Sequence, residues 1–404
     1  MRITLAAHYS CRVGGVEQYL GTLVPSLLAA GHDVSCWFET AAGGHEPILA
    51  ADAAVEAIVA SEHRDPFGAA RAWRPDVIFA HGLSDAGHER ALLDVAPGVI
   101  FAHDYHGTCI SGTKTFRAPT ARCCERTFGP SCLVQYYPRH CGGWSPVTMV
   151  QLYGLQRARL GLLASYERIA VASHHMAEEY ARHGFASKVR VVGLPVESPV
   201  AAAARDGGDG AWRLLYLGRL EFAKGADLAL ESAARTAALM MRPVHLQISG
   251  AGSLDATLRA RADHLKRVEP HLSVTFTGWL DQRNAAAAVD HSDLLLVPSR
   301  WPEPFGMVGV EAALRGVPSV AFAVGGIPEW LIDGVTGRLV DADPPSVDAY
   351  AAAIAACLLD RDWLARVRQH CRGGNTRFQM SSHLAALEPV LAESACARLA
   401  RTVA

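Results

Sequence analysis

Short apolar runs alternate with amphipathic stretches along most of the chain. Runs of this length are typical of buried strands, and the stretches between them, such as Val16–Ala30 and Met149–Tyr166, have helical periodicity. The alternation predicts parallel strands joined by right-handed helical crossovers, with helices covering both faces of the sheet. The strands predicted in the first half are Ile3–Ala7, Val34–Phe38, Val77–His81, Val99–His103, Arg168–Ala172 and Val189–Val192.

A second alternating series follows a break at Gly193–Gly210, where Pro, Ala, Gly and Asp dominate and a linker is predicted. We therefore predict an α/β protein of two facing Rossmann-like domains, at residues 1–200 and 211–380. The packing of a last helix, at residues 381–404, is left undecided. The predicted strands of this half are Arg213–Leu217, Val244–Ser249, Ser273–Thr277, Leu294–Pro298, Ser319–Ala321 and Gly337–Val340, and the predicted helices are Ala226–Met240, Leu254–Lys266, Asp281–His291, Gly306–Arg315 and Val347–Leu358.

Composition adds limits on class and location. Half of the residues are hydrophobic, 19% are charged and the net charge is −2, which is typical of a folded protein and gives no support to nucleic-acid binding. No apolar run reaches the ~18 residues that span a bilayer, and the start is interpreted as a strand rather than a secretory signal. We expect a cytoplasmic protein whose ten Cys stay reduced.

Positive charge is concentrated in one stretch. Between His106 and Arg190 there are eleven Lys or Arg against four Glu and no Asp. Such a stretch favours peripheral contact with an anionic membrane surface or with a phosphorylated acceptor. Scattered solvated charges with a few ion pairs explain it equally well.

The strongest candidate for chemistry is the loop and helix start at residues 297–312. A hydrophobic strand ends there, a loop containing Pro and Gly turns, and a helix begins near Gly306. The free N–H groups of a first helical turn favour an anion such as phosphate. Glu303 in the loop and Glu311 in the helix can accept hydrogen bonds from sugar or ribose hydroxyls. Alone, the two Glu are equally explained as solvated charges; the strand–loop–helix context favours function.

Two further turns in the second domain follow strands in the same way. Gly218 lets a backbone approach closely, and Arg219 and Lys224 can stabilise charge on a departing diphosphate. The alternative is that both are surface cations, one of them paired with Glu221. Another glycine-rich turn, with Gly250 and Gly252, can bring main chain near a nucleotide, but turns of this kind are common in α/β proteins.

The first domain offers the opposite wall of the expected cleft. Gly14 and Gly15 can bring main-chain N–H groups to a phosphate, although the loop lacks the G-x-G-x-x-G pattern of dinucleotide enzymes. His103 ends a predicted strand, so it should face the same cleft and can bond a sugar hydroxyl. A hydrogen-bonded histidine without function is the alternative.

Together these motifs resemble the retaining GT-B glycosyltransferases of family 4, often called glycosyltransferase group 1. The likeness spans most of the chain and is strongest from Leu214 to Val340, including the Glu303/Glu311 pair and Gly325-Gly326-Ile327-Pro328-Glu329. It implies transfer of a sugar from a nucleotide-diphosphate sugar to a glycan, lipid-linked or small-molecule acceptor, in polysaccharide or glycoconjugate biosynthesis, with no cofactor required. The resemblance further implies that Arg219 and Lys224 hold the diphosphate and that Gly15 closes on it. It implies that Glu311 contacts the ribose and that His103 contacts the sugar. The transferred sugar and the phosphate would be contacted by Glu303 and by the amides of Phe305, Gly306, Met307 and Val308.

The chain departs from the family in a Cys-rich insertion at about residues 105–145. Thiolates there could form a structural zinc site, although no compact C-x2-C knuckle is present; an iron–sulfur cluster and unligated thiols are the alternatives. The candidate ligands are Cys109, Cys123, Cys124, Cys132 and Cys141.

Two other functions are compatible with the fold. A sugar-nucleotide epimerase would need acid/base groups near the sugar, and no such set is evident in the sequence. A catalytically inactive sugar-nucleotide-binding or scaffold subunit is disfavoured by the presence of Arg219, Lys224, Glu303 and Glu311 together.

Overall fold

The structure, a computed structural model, describes residues 1–41, 46–49, 55–196, 210–372 and 376–403, and it contains one parallel sheet in each half of the chain. The first sheet has seven strands in the order β3-β2-β1-β4-β5-β8-β9, beside a two-stranded hairpin of β6 and β7. The strands of this half are β1 (Arg2–Tyr9), β2 (Asp33–Thr40), β3 (Glu56–Val59), β4 (Val77–Ala80), β5 (Gly98–Ala102), β6 (Thr115–Phe116), β7 (Arg122–Cys123), β8 (Arg168–Val171) and β9 (Val189–Val191).

The second sheet has six parallel strands in the order β12-β11-β10-β13-β14-β15. Its central strands are buried along their length, as expected for a sheet covered on both faces. The two sheets therefore confirm the predicted α/β architecture of parallel sheets flanked by helices. The strands are β10 (Trp212–Leu217), β11 (Val244–Ser249), β12 (Leu272–Gly278), β13 (Leu294–Val297), β14 (Ser319–Phe322) and β15 (Gly337–Val340).

Helices connect the strands and cover the sheets. Several begin at a side-chain cap; for example, Ser145 accepts a hydrogen bond from the Thr148 N–H, and Pro146 takes the first helical position. The helices are α1 (Gly15–Ala29), α2 (Pro66–Trp73), α3 (Ala86–Leu93), α4 (Ser131–Gln135), α5 (Pro146–Leu163), α6 (His174–Tyr180), α7 (Ala226–Met240), α8 (Asp255–Val268), α9 (Gln282–Asp290), α10 (Met307–Leu314), α11 (Ile327–Trp330), α12 (Val347–Leu359), α13 (Arg361–Arg372) and α14 (Met380–Val403).

The described elements follow the predicted pattern closely, with a few differences. The sequence pattern does not predict β3, because this short edge strand buries only Ile58 and lacks a continuous apolar run. The predicted helix at Met149–Tyr166 begins at Pro146, where the Ser145 cap fixes the start. Most of the predicted linker, residues 197–209, lies outside the described residues.

The last helix, α14, packs against the first sheet and α1 rather than staying with the second domain. His383 on α14 bonds the buried Tyr19 hydroxyl through Nε2, at 2.8 Å, and the Gly193 carbonyl through Nδ1, at 2.7 Å. The C-terminal segment is thereby tied to the first half of the chain. None of the described helices combines the length and apolarity needed to cross a bilayer.

Candidate active site

The turn after β10 packs tightly on the turns beside it. Gly225 has φ +73°, and a Cβ there would lie 1.9 Å from the Pro298 carbonyl oxygen. Gly250 has φ +143°, and a Cβ there would lie 1.9 Å from the Gly218 carbonyl oxygen; one at Gly252 would lie 2.5 Å from that of Leu220. The structure therefore uses Gly250 and Gly252 to bring this turn against the 218–220 turn at the carboxyl edge of the sheet.

Lys224 and Glu303 form a charged pair at this edge. Lys224 Nζ lies 2.8 Å and 2.9 Å from the two carboxylate oxygens of Glu303, and the Ser299 hydroxyl donates to Oε1 at 2.6 Å. Glu303 is buried, with 4% of its surface exposed, whereas Lys224 keeps partial exposure. The ammonium also lies 4.8 Å from the centre of the Trp301 ring. The pair thus places a cation with exposed surface beside a buried, fully bonded carboxylate.

Arg219 lies on the same turn with an exposed side chain. Within the described part of the chain its guanidinium makes no hydrogen bond or ion pair, because Glu221 is bonded instead to the N–H and hydroxyl of Ser253. Those hydrogen bonds lower the pKa of Glu221, with a smaller contribution from the Arg219 charge. Among the described residues, therefore, neither Arg219 nor Lys224 pairs with Glu221, as the alternative interpretation required of one of them, and Arg219 is available to an anion.

Helix α10 begins directly after the Glu303 loop. Gly306 caps it with φ +92°, and the Trp330 indole N–H donates to the Phe305 carbonyl at 2.6 Å, which holds the entry to the helix. By helix geometry the N–H groups of the first turn, including Met307 and Val308, have no intrahelical acceptor. The positive end of the helix therefore opens beside the Lys224–Glu303 pair, as an anion site requires.

Glu311 lies about one turn inside α10 and is half-buried. Burial raises the pKa of its carboxyl group, and no described residue bonds or pairs with it. A carboxyl group in this state favours a partner that donates hydrogen bonds, such as a hydroxyl group.

The first-domain residues lie at the carboxyl edge of the other sheet. Gly14 caps α1 and Gly15 begins it; both are exposed, and a Cβ at Gly15 would meet no atom within 4 Å. His103 follows β5, half-buried, stacked on Phe101 with ring centres 4.6 Å apart. The predicted residues of the first domain therefore offer exposed main chain at Gly14 and Gly15 and one imidazole, that of His103.

A second histidine, His81, fixes the state of His103. His81 Nδ1 lies 3.0 Å from His103 Nε2, and burial lowers the pKa of both rings, that of His103 to about 3, so both are neutral at pH 7. The Nε2 atom of His81 is buried without a partner in the described part of the chain. We assign the shared proton to His81 Nδ1, because the unpartnered Nε2 of His81 is then an acceptor rather than a donor. His103 then accepts through Nε2 and carries its own proton on Nδ1, where it can donate.

Three residues outside the predicted set join the two halves at the Glu303 loop. The Tyr105 hydroxyl donates to the Pro302 carbonyl at 2.6 Å, and the Ser173 hydroxyl donates to the Pro304 carbonyl at 2.5 Å. Glu329 accepts the N–H groups of His174 and His175 at 2.9 Å and 3.0 Å. The sequence motif at residues 325–329 contains Glu329, and Tyr105 is one of several aromatic residues that favour acceptor recognition, but neither prediction includes a contact between the halves. Ser173 is not predicted, because a lone Ser has no recognisable pattern.

The five predicted cysteine ligands lie between β5 and α5, and four of them, Cys109, Cys124, Cys132 and Cys141, lie near one another. Among the residues that the structure describes, no three His, Cys, Asp or Glu side chains are placed to hold one ion. Cys123 Sγ lies 3.9 Å from the Arg300 carbonyl and Cys141 Sγ lies 3.9 Å from that of Gln135. Burial raises the pKa of both thiols to about 12, so they are protonated here. The remaining candidates are Cys109, Cys124 and Cys132, and zinc stays a prediction of the sequence.

Comparison with known proteins gives this arrangement a family context. Residues 205–373 match the family model for glycosyl transferases group 1. Glycogen synthase of Mycobacterium tuberculosis is 28% identical over 354 residues, which cover 86% of this chain and 72% of that protein. The D-inositol 3-phosphate glycosyltransferase of Geodermatophilus obscurus is 34% identical over 191 residues, covering 46% of this chain and 42% of that protein.

Solved structures extend the likeness to the whole fold. The structure of Anabaena HepE in complex with UDP and glucose has a TM-score of 0.67 at 17% identity, covering 97% of this chain and 100% of that chain. WaaG, a glycosyltransferase involved in lipopolysaccharide biosynthesis, has a TM-score of 0.66 at 15% identity, covering 95% and 99%. The chain therefore has the GT-B fold, matches the group 1 glycosyltransferase model over residues 205–373, and is a glycosyltransferase of the hexosyl-transferring type.

Proposed function

We propose that this enzyme transfers a hexosyl group, with retention of anomeric configuration, from a nucleoside-diphosphate sugar to an acceptor held against the first domain. The observation that carries the proposal is the Lys224–Glu303–Ser299 cluster at the open N-terminus of α10. A cation, a helix N-terminus and a bonded carboxylate lie together at the carboxyl edge of a parallel sheet. This set suits a donor with an anionic diphosphate and a hydroxyl-bearing sugar.

Each residue has a proposed role in the transfer. Arg219, Lys224 and the first-turn amides of α10 stabilise charge on the departing diphosphate, Glu303 accepts from sugar hydroxyls, and Glu311 accepts from the ribose. The bond from the sugar C1 to phosphate breaks while the bond from C1 to the acceptor oxygen forms on the same face. The acceptor proton passes to the leaving phosphate, so no protein nucleophile and no metal is required by this route.

The donor class draws support from the comparisons. HepE forms a complex with UDP and glucose, so UDP and its sugar conjugates are the first donor nucleotides to test. On the acceptor side, we propose a glycan or lipid-linked acceptor in polysaccharide or glycoconjugate biosynthesis, used at the cytoplasmic face of a membrane. WaaG, with the same fold, acts in lipopolysaccharide biosynthesis.

Thermal unfolding with UDP, GDP, ADP and their common sugar conjugates tests the donor site, because a ligand that binds the native state raises the unfolding temperature. We expect a rise with one nucleotide that is lost in Arg219→Ala and Glu311→Ala. The control is Arg235→Ala, since Arg235 forms only an exposed pair with Asp348 and should leave the rise intact. No rise with any nucleotide would contradict the donor site.

Turnover then separates the proposed transfer from its alternatives. Release of free nucleotide from the sugar conjugate, with an α-linked product from an α-linked donor by NMR, supports retaining transfer. Interconversion of donor epimers would indicate an epimerase, and a thermal shift without turnover in any acceptor extract would indicate an inactive binding subunit.

A further inference from the structure

The outer face of α5 has one charged residue among its exposed positions, Arg157, and no acidic residue. Exposed positions along this helix include Val147, Val150, Gly154, Arg157 and Ala158, spaced so that they share one side of the helix. Val147 and Val150 keep 65% and 61% of their surface exposed. Solvent-facing helix surfaces normally carry mixed acidic and basic side chains, so this face has the composition of a binding surface.

An exposed tryptophan precedes the same helix. Trp144 is 72% exposed, and its ring stacks on Tyr137 with ring centres 6.1 Å apart and planes 12° apart. We call Trp144, Val147 and Val150 the α5 patch. An exposed Trp next to apolar side chains is typical of surfaces that enter the boundary between lipid headgroups and acyl chains.

The segment of sequence that carries the α5 patch has charge of one sign. Residues 126–166 contain no Asp or Glu, whereas Arg126 and Arg157 are exposed and Arg139 is half-buried. Basic side chains beside an apolar surface favour an anionic bilayer. A second copy of the chain is disfavoured, because a two-fold contact through this segment would place its arginines opposite one another.

We propose that the α5 patch and its arginines dock the first domain on a membrane that contains anionic lipids. The proposal specifies which surface makes the membrane contact named with the proposed function. The benefit of docking rests on the proposed function, because docking would bring a lipid-linked acceptor to the first domain.

Cosedimentation of the full chain with vesicles tests the docking. We expect binding to vesicles of phosphatidylcholine with about 30% phosphatidylglycerol, and at least ten-fold weaker binding to phosphatidylcholine alone or in high salt, which screens the arginines. The double variant Trp144→Glu/Val150→Glu should reduce binding to the anionic vesicles at least ten-fold, because it places two carboxylates in the patch.

A matched control exists in the second domain. Trp279 and Val268 are 67% and 61% exposed, so Trp279→Glu/Val268→Glu introduces the same charges at equal exposure and should bind like the unmodified chain. Equal loss in both double variants, or no binding by the unmodified chain, would overturn the proposal. Self-association in lipid-free solution that only the patch variant abolishes would overturn it in favour of a protein interface.

The membrane result and the donor result can be told apart. The thermal shift with nucleotide is measured without vesicles, and the patch variant changes no residue assigned to the donor site. A patch variant that loses vesicle binding but keeps the nucleotide shift supports docking independently of donor chemistry. An unmodified chain that shows the shift but no vesicle binding contradicts docking alone.

Discussion

At the residue scale, Lys224 and Glu303 behave as one unit. Glu303 is buried, and both of its carboxylate oxygens accept hydrogen bonds from Lys224. Removing the cation therefore leaves a buried carboxylate without its ion-pair partner. We expect Lys224→Ala to lower kcat/KM at least ~100-fold and to destabilise the chain by ~2–4 kcal/mol, measured by transfer assays and urea unfolding. Adding Glu303→Gln should restore part of the stability and cost little further activity. Additive losses in the double variant would contradict a shared role.

Substitution of Glu311 should have opposite effects on the stability of the chain and on nucleotide binding. Burial raises its pKa, so the native state binds a proton more tightly than the unfolded chain does. The favourable contribution is fully present below the ordinary value of 4.5 and is lost as pH rises through the raised native value. Glu311→Gln should therefore raise the unfolding temperature at pH 7 by roughly 2–4 °C, while UDP affinity falls ~10-fold.

The pH dependence provides the check on Glu311. Near pH 4 the carboxyl group is protonated in the native state, so the difference in unfolding temperature between the variant and the unmodified chain should shrink toward zero. Scanning calorimetry at both pH values measures it. A variant that is less stable at pH 7 would show that Glu311 has a structural partner instead.

At the element scale, the start of α10 depends on close packing against Trp330. A Cβ at Gly309 would lie 1.9 Å from the Trp330 ring, and the same indole holds the Phe305 carbonyl. Gly309→Ala must displace the ring or the helix, so we expect a loss of ~1–3 kcal/mol of unfolding free energy together with a smaller nucleotide-induced thermal shift. Urea unfolding with and without UDP measures both.

A second helical glycine gives the control for this prediction. A Cβ at Gly154 in α5 would meet no atom within 4 Å, so Gly154→Ala should be neutral or stabilising by up to ~1 kcal/mol. Equal destabilisation in the two variants would mean that the contact with Trp330 does not hold the start of α10.

At the scale of the whole molecule, α14 ties the C-terminal segment to the first sheet. Burial raises the pKa of Tyr19, whose hydroxyl bonds His383, a residue 364 positions away in the chain. His383→Ala leaves this buried hydroxyl without its partner, so we expect a loss of ~1–3 kcal/mol in urea unfolding. In Tyr19→Phe/His383→Ala the loss should be smaller than the sum of the single losses. Ser381→Ala, at an exposed position of the same helix, should change little; a similar loss there would contradict the role of the buried bond.

The sequence by itself determined the strand–helix order and the turns that carry chemistry. Apolar runs and their spacing depend on neighbours close in the chain, so β10, β13 and the start of α10 lie within a few residues of their predicted bounds. The turn residues Arg219, Lys224 and Glu303 could be named for the same reason, because a charged residue after a buried strand lies at the carboxyl edge of the sheet.

Only the tertiary structure decided which distant residues meet. Lys224 pairs with Glu303 rather than acting alone, Glu221 bonds Ser253 rather than Arg219, and α14 returns to the first domain. Tyr105, Ser173 and Glu329 join the halves, and Cys123 lies against the Arg300 carbonyl. Such contacts depend on strand order and on competition for partners across the fold, and neither is encoded in local periodicity or spacing.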